Sequence, residues 1–568
     1  VGVRISQGAK NKIRIFSGAT TRVGLTNEYL DLSVPGDQSA GIRMVPVGNI
    51  TNGQYPAFLI TGAGSSYLYF TGVTGIILGT PSSFSTGGAP RRLTNEGDAN
   101  YLNFSDSAFY NSEQTGYVDS LLSSLASFTH GDFNGDGFED IAIGMKTSDK
   151  ISTYPLSGGS GRVMIFYGGA DNGIQTQPDT TGGFPLDTSK FVTEGVNSGF
   201  GNGLPCHPTV GYPTNTCKIQ MLAGDSDTLS YGRSLTAMPI GNCSVIGSDG
   251  SPKDVPVHAL AVSTQTSAGS RIEIYKPKCI QNGDKSGLVT SESTATRTLA
   301  ENTDGNTALG ISMTAISPLT QVSSNPTVKY MPSITKTGVA SGGITSHLVA
   351  TEGYWSSSAN YSYKLKVFPV NTSSSSVVCT TTTVPTTIDG NSFGPMTATG
   401  CGAAEIIYSG LNLFTSMNYD PAFGTSAAAG DINGDGYADL SFSVSKMQRK
   451  ESSGNVETQG AAIVLFGGPT GFQTKTGNTW IEPSREATCY QTSGAGKCNP
   501  TMIFLPSSTT SVRDGGYDRL TLNPYSFLNF GSVNEGLGSL LLGSPNRDTI
   551  ETDSTARILN AGAFYVLP

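Results

Sequence analysis

Charge is scarce in this chain: Asp, Glu, Lys and Arg make up 14% of its 568 residues, against roughly 25% in a typical globular domain. Histidine occurs four times and tryptophan twice. Acids outnumber bases to give a formal charge of −9, so the basic face that a nucleic-acid partner needs is missing. No apolar run reaches the length of about 18 residues that a membrane-spanning helix requires. Heptad patterns are also lacking, which excludes a long-helix or coiled-coil protein. There is no G-x-S-x-G elbow, no H-E-x-x-H and no P-loop. Paired acids for glycoside hydrolysis are a matter of spatial separation, which spacing along the chain does not reveal.

What is abundant is glycine, at 72 residues, together with serine and threonine. Short β-branched or alternating runs separated by such loops read as an all-β chain. The eight cysteines fall into near neighbours, Cys206/Cys217, Cys243/Cys279, Cys379/Cys401 and Cys489/Cys498. An even count without Cys-x-x-Cys or Cys/His metal spacing leads us to expect four local disulfides, one of 105 arithmetically possible pairings. Disulfides in turn imply an oxidising compartment; reduced, buried cysteines are the alternative. The chain begins at Val1 and ends in Gly562-Ala-Phe-Tyr-Val-Leu-Pro568, which we read as a processed or trimmed chain without a sorting tail. Low complexity is confined to residues 372–387, read as a solvated loop.

Two nonapeptides stand out, Asp132-Phe-Asn-Gly-Asp-Gly-Phe-Glu-Asp140 and Asp431-Ile-Asn-Gly-Asp-Gly-Tyr-Ala-Asp439. Both place oxygen-bearing side chains at positions 1, 3, 5 and 9, with a glycine at position 6 for a sharp turn. A hard cation such as Ca²⁺ takes about 6–8 oxygen ligands. An EF-hand would need a bidentate Glu at position 12 and flanking helices. Here position 12 is Ile143 or Phe442, and strand-like runs follow. The expectation is therefore two Ca²⁺ loops closing β-hairpins. Asp132, Asn134, Asp136, Asp140 and the Phe138 carbonyl are the candidate ligands of the first. Asp431, Asn433, Asp435, Asp439 and the Tyr437 carbonyl are those of the second.

The surroundings repeat as well. Phe423-Gly424 precedes the second loop, and Gly460-Ala-Ala-Ile-Val-Leu-Phe466-Gly-Gly468 follows it; Gly161-Arg-Val-Met-Ile-Phe-Tyr167-Gly-Gly169 follows the first. Weaker copies open at Tyr231-Gly232, Leu309-Gly310 and Phe530-Gly531. This pattern resembles the FG-GAP repeat of integrin-α-type β-propellers and their bacterial relatives. The resemblance implies an all-β fold, a seven-bladed β-propeller with structural calcium in hairpin loops and long inserted loops. Strands of the third type begin near residues 12, 67, 162, 271, 364, 461 and 562. That leads us to expect one propeller over 1–568, with the N- and C-terminal strands completing one blade. The count drops to six if the strand at Asn11 is itself the missing outer strand.

Aligning second strands puts His258 and His347 where the loops carry their ninth-position Asp. We read both as hydrogen-bonded loop histidines. Tyr354, Trp355 and Tyr361 gather aromatic surface among small polar residues, either to pack a hairpin or to stack on a sugar or a partner side chain. The resemblance implies a secreted or cell-surface, extracellular protein. Its work would be recognition of, or adhesion to, a protein or glycan on another surface, with self-assembly possible and no membrane insertion. A structural subunit of an extracellular fibre or coat, and a polysaccharide-acting enzyme, stay open as alternatives.

Overall fold

The computed structural model describes residues 2–7, 10–18, 25–33, 43–47, 57–61, 66–69, 101–103, 127–145, 162–166, 219–223, 230–246, 251–266, 269–275, 297–301, 307–316, 320–321, 329–330, 333–334, 344–355, 361–371, 405–409, 423–430, 439–444, 448–450, 456–458, 461–466, 475–476, 479–480, 501–504, 529–530, 539–544, 549–550, 557–558 and 563–567. Every regular element among them is a β-strand, as the glycine-rich, helix-poor composition requires. The chain divides into two compact units, Val1–Gly305 with Ser333–Ser341, and Asn306–Pro332 with Gly342–Pro568.

Among the described residues the first unit holds four sheets of three or more strands. Gly2–Gln7, Lys10–Gly18 and Leu25–Ser33 form an antiparallel meander, so the strand at Asn11 is the centre of its own sheet. Arg43–Val47, Ala57–Thr61, Ser66–Tyr69 and Tyr101–Asn103 form the second sheet. The third, the Asp132 sheet, runs Ser127–Gly131, Asp140–Met145, Arg162–Phe166 and Ile219–Ala223 in consecutive order. The fourth, the His258 sheet, runs Leu235–Ile246, Pro252–Thr266, Gly269–Tyr275 and Arg297–Glu301, with Ser333–Ile334 added in parallel at its edge.

Three such sheets lie in the second unit. Thr307–Ile316, Ile344–Trp355, Tyr361–Asn371 and Glu405–Ser409 form one, and Phe423–Gly430, Asp439–Val444, Ala461–Leu465 and Thr501–Phe504 another. Asn529–Phe530, Ser539–Ser544 and Ala563–Leu567 form the third.

The second strands are buried in an unusual way. Ile141, Ala142 and Ile143 are all at most 2% exposed, and Ala259, Leu260, Ala261 and Val262 are each at 0%. Consecutive strand residues point to opposite faces, so these strands are covered on both sides. In the first unit the Asp132 and His258 sheets supply one another's cover. Phe133, Ala142, Val163, Ile165 and Leu222 pack with Tyr231, Leu235, Leu260, Val262 and Tyr275 in one apolar cluster. Each large apolar side chain so buried contributes about 1.5–3 kcal/mol.

The x-Gly dipeptides that begin the units share one distortion. Between Leu309 and Met313 the inner strand advances four residues while its partner moves from Glu352 to Ala350. Between Phe423 and Ala427 the partner likewise moves from Val444 to Phe442. At Tyr231-Gly232 the same kind of bulge is held by Gly232 N–H to the Ser263 carbonyl at 3.1 Å and Ser263 N–H to the Ser234 carbonyl at 3.0 Å. The Ser263 hydroxyl accepts the Ser234 N–H at 2.9 Å. Gly232 and Gly310 have φ of 77° and 75°, a left-handed conformation that a side chain disfavours. The glycine of the dipeptide is thus a requirement of the bulge.

Candidate metal centre

The first acidic nonapeptide closes the hairpin between Ser127–Gly131 and Asp140–Met145, whose last pair is Gly131 with Asp140. Phe133, at 0% exposed, is the anchor: its ring enters the core shared with the His258 sheet, and its N–H donates to Asp140 Oδ2 at 2.7 Å. With that residue fixed, the rest of the loop folds back over the Asp132 carboxyl. Asp132 Oδ1 accepts from the N–H groups of Asn134 and Gly135, and Oδ2 from Gly137 N–H at 2.8 Å. Asn134 Oδ1 accepts Asp136 N–H at 3.0 Å, and Asp136 Oδ1 accepts Phe138 N–H at 2.8 Å. Gly135 and Gly137 permit the turn with φ of 81° and 91°.

Electrostatically this is a crowded arrangement. Asp132, Asn134 and Asp140 are at 4%, 2% and 0% exposure, and residues 131–140 contain neither Lys nor Arg. Burial pushes the Asp132 carboxyl up to about 8, and the nearby Asp136 carboxylate adds to the rise against the lowering pull of three backbone N–H groups. A buried carboxyl that resists ionisation beside a second carboxylate, among further oxygen-bearing side chains, is the donor set of a hard cation. The residues present fit Ca²⁺. Among the described residues no three His, Cys, Asp or Glu side chains form a closed ligand cluster; Asn134 and a backbone carbonyl would have to complete this set.

Of the second loop, Asp431, Asn433, Asp435 and Tyr437 lie outside the described residues. Asp439 is buried at 0% exposure and pairs with Gly430, as Asp140 pairs with Gly131. Tyr354 and Trp355 end the strand Ile344–Trp355, and Tyr361 begins Tyr361–Asn371, with Trp355 opposite Tyr361 in register. The three candidate aromatics are therefore brought to one hairpin end. The cysteines fall outside the described residues, apart from Cys243, whose backbone lies opposite Val255.

The histidine reading needs correction in one respect. His258 lies within the strand Pro252–Thr266, opposite Pro239, and His347 within Ile344–Trp355, opposite Ile316. Neither is in a loop. His258 is hydrogen-bonded, but to a partner that local sequence does not reveal. Its Nδ1 accepts the Asp132 N–H at 3.1 Å, and its own N–H donates to the Asp132 carbonyl at 2.8 Å. Leu260 with Tyr275 is the last described pair between this strand and its neighbour, and two positions further on it is Asp132 that bonds the His258 backbone. Burial holds the imidazole neutral, down to about 4, with Glu139 opposing that shift and His130 adding to it.

At the mouth of the loop His130 Nδ1 lies 3.0 Å from Glu139 Oε2. Burial works to raise the Glu139 pKa, but the hydrogen bond and charge of His130, with a smaller contribution from His258, outweigh it and leave the group below its ordinary 4.5. Sequence reading passed over both residues, since position 8 of such a loop carries no ligand.

No curated protein matches the chain. The family model described as the FG-GAP repeat matches residues 423–443, the segment running from Phe423-Gly424 through the second acidic nonapeptide into the strand that Asp439 begins.

Proposed function

We propose that the chain is a single seven-bladed β-propeller, secreted or displayed at a cell surface. Calcium in its two hairpin loops and disulfides in its insertions would hold the inserted loops ready for a protein or glycan on another surface. The observation that carries this reading is the folded loop 132–140, an acidic turn in which Asp132, Asn134 and Asp140 are buried, together with the FG-GAP match over the second copy of the same motif. Seven sheets of three or more strands among the described residues support seven blades. Bound Ca²⁺ would supply the positive charge that lets Asp132, Asp136 and Asp140 ionise together. The loops would then be rigid before binding, which lowers the ordering cost of association. Trp355, Tyr354 and Tyr361, at one hairpin end, are the residues proposed to touch the ligand.

The test is binding of the full chain to an array of glycans and matrix proteins, in calcium and in chelator, with melting temperature followed in parallel. Specific binding that weakens as chelator lowers the melting temperature is expected, along with reduced binding by Trp355→Ala at unchanged melting. A melting temperature indifferent to chelator overturns the calcium reading. Absence of any ligand, with large particles in light scattering, overturns adhesion in favour of a structural assembly.

A further inference from the structure

We infer that His258 is a positioning residue for the cation site of loop 132–140, making cation binding and the joint between two sheets one coupled equilibrium. The inference rests on the reading that this loop holds calcium.

Asp132 serves two structures at once. Its carboxyl belongs to the loop, where it is bonded by the amides of Asn134, Gly135 and Gly137. Its backbone belongs to the His258 sheet, with N–H on Nδ1 and C=O on the His258 N–H. The first ligand of the loop is therefore aimed from both ends of its own residue. For Nδ1 to accept, its lone pair must be free and the ring proton must sit on Nε2. An aliphatic side chain would leave the Asp132 N–H unpaired at a buried place. Gly131 makes room for the ring: a Cβ there would meet His258 Cγ at 2.8 Å and Cβ at 3.0 Å. Two further hydrogen bonds tie the same sheets together, Ala237 N–H to Thr129 Oγ1 at 2.9 Å and Ser127 Oγ–H to the Gly232 carbonyl at 2.7 Å. The Asp132–His258 pair is the member of this set that reaches a cation ligand. A partner that orients a metal ligand is typically worth about 10–100-fold in metal affinity. Linkage makes the coupling reciprocal: whatever the joint adds to cation affinity, the cation adds to the joint.

The experiment uses the full chain carrying Asp431→Asn and Asp435→Asn, so that calorimetric titration with Ca²⁺ reads the first loop. His258 is then changed to Asn, whose Oδ1 can stand in for Nδ1, to Gln, which carries its acceptor one atom too far, and to Ala. The expected result is near-parental affinity for the Asn variant and a loss of about 10–100-fold for Gln and Ala. Hydrogen exchange at the Asp132 amide and along 252–266 should slow on adding Ca²⁺ in the parent and the Asn variant only. If Ala fails to fold, the Asn-against-Gln contrast decides. Equal affinity for all variants overturns the inference and leaves the calcium reading standing. No Ca²⁺ binding by the parent overturns the calcium reading and the inference with it.

Discussion

Gly144, on the second strand of the Asp132 sheet, lies directly against the carbonyl oxygen of Gly232, the glycine of the dipeptide that opens the His258 sheet. A Cβ at Gly144 would overlap both that oxygen and the Ser127 hydroxyl bonded to it. Glycine is required here for contact between sheets and not for its backbone conformation. Gly144→Ala should therefore cost about 1–3 kcal/mol by overpacking. Ser127→Ala, which leaves the Gly232 carbonyl without its buried donor, should cost a similar about 1–3 kcal/mol. Denaturant unfolding of the two variants checks both values, and a neutral Gly144→Ala would refute the close approach.

The Tyr231 ring occupies the aromatic position of its dipeptide, yet it carries a hydroxyl where Phe423 has none. That hydroxyl meets Tyr275 Oη, Tyr275 donates to Glu273 Oε2 at 2.7 Å, and Arg271 Nε lies 2.8 Å from Glu273 Oε1. Since the Tyr275 proton is committed to Glu273, Tyr231 must be the donor to Tyr275. Burial raises the Tyr231 phenol well above its usual value, Tyr275 and Glu273 adding to the rise, so the proton stays in place. Tyr231→Phe removes one end of the chain and should cost about 1 kcal/mol. Tyr275→Phe strands both a donor and a carboxylate oxygen and should cost about 2–3 kcal/mol. The order of the two unfolding midpoints is the measurement; a reversed order would disprove the direction of the chain.

The hairpin at 132–140 was legible because its chemistry is local: four acids, an asparagine and two glycines in nine residues leave few folds available. The dipeptides Tyr231-Gly232 and Leu309-Gly310 were legible as repeat openings, whereas the bulges they form depend on distant partner strands, at Ser263 and at Glu352. The course of Pro252–Thr266 was not legible. Pro252 and Pro256 argue against a strand, but they sit at its outer end, where both are exposed and ladder bonds are dispensable. Reading the strand as starting at His258 therefore made that residue a loop histidine. Its partner Asp132 is 126 positions away, in the hairpin loop of a different sheet. Such a contact leaves no periodicity to read.

The neutral His258 ring gives the joint a pH dependence of definite sign. An unfolded imidazole titrates near about 6.5, whereas burial holds this one to about 4. A histidine whose folded pKa is lowered contributes stability that is present above the unfolded value and is lost as pH falls from 6.5 towards 4. Asp132 works in the opposite sense when no cation is bound, because its raised pKa favours the folded state at low pH. A comparison with His258→Asn sets that contribution aside, since Asp132 is present in both chains. Relative to the Asn variant, the parent should lose on the order of 2 kcal/mol between pH 7 and pH 4. Denaturant titrations of both chains at several pH values test this, and a difference that stays constant with pH would refute it.

Two glycines of the loop should fail for different reasons when replaced by alanine. Gly137 has φ of 91° and a Cβ there would make only ordinary contact, with Val255 at 3.6 Å, so its cost is backbone strain of about 1–2 kcal/mol. Gly131 has no such strain, and its replacement instead drives a methyl group into the His258 ring and to within 3.1 Å of Ala237. The penalty at Gly131 must then depend on what stands at 258. Removing the ring with His258→Ala eliminates the worst contact, that with Cγ, while the contact with Cβ persists. In a double-mutant cycle, Gly131→Ala should thus cost less in the His258→Ala background, with a coupling of about 0.5–3 kcal/mol. Strict additivity of the two changes would show that the ring does not lie over Gly131, and the packing on which the Asp132 backbone bonds depend would fail with it.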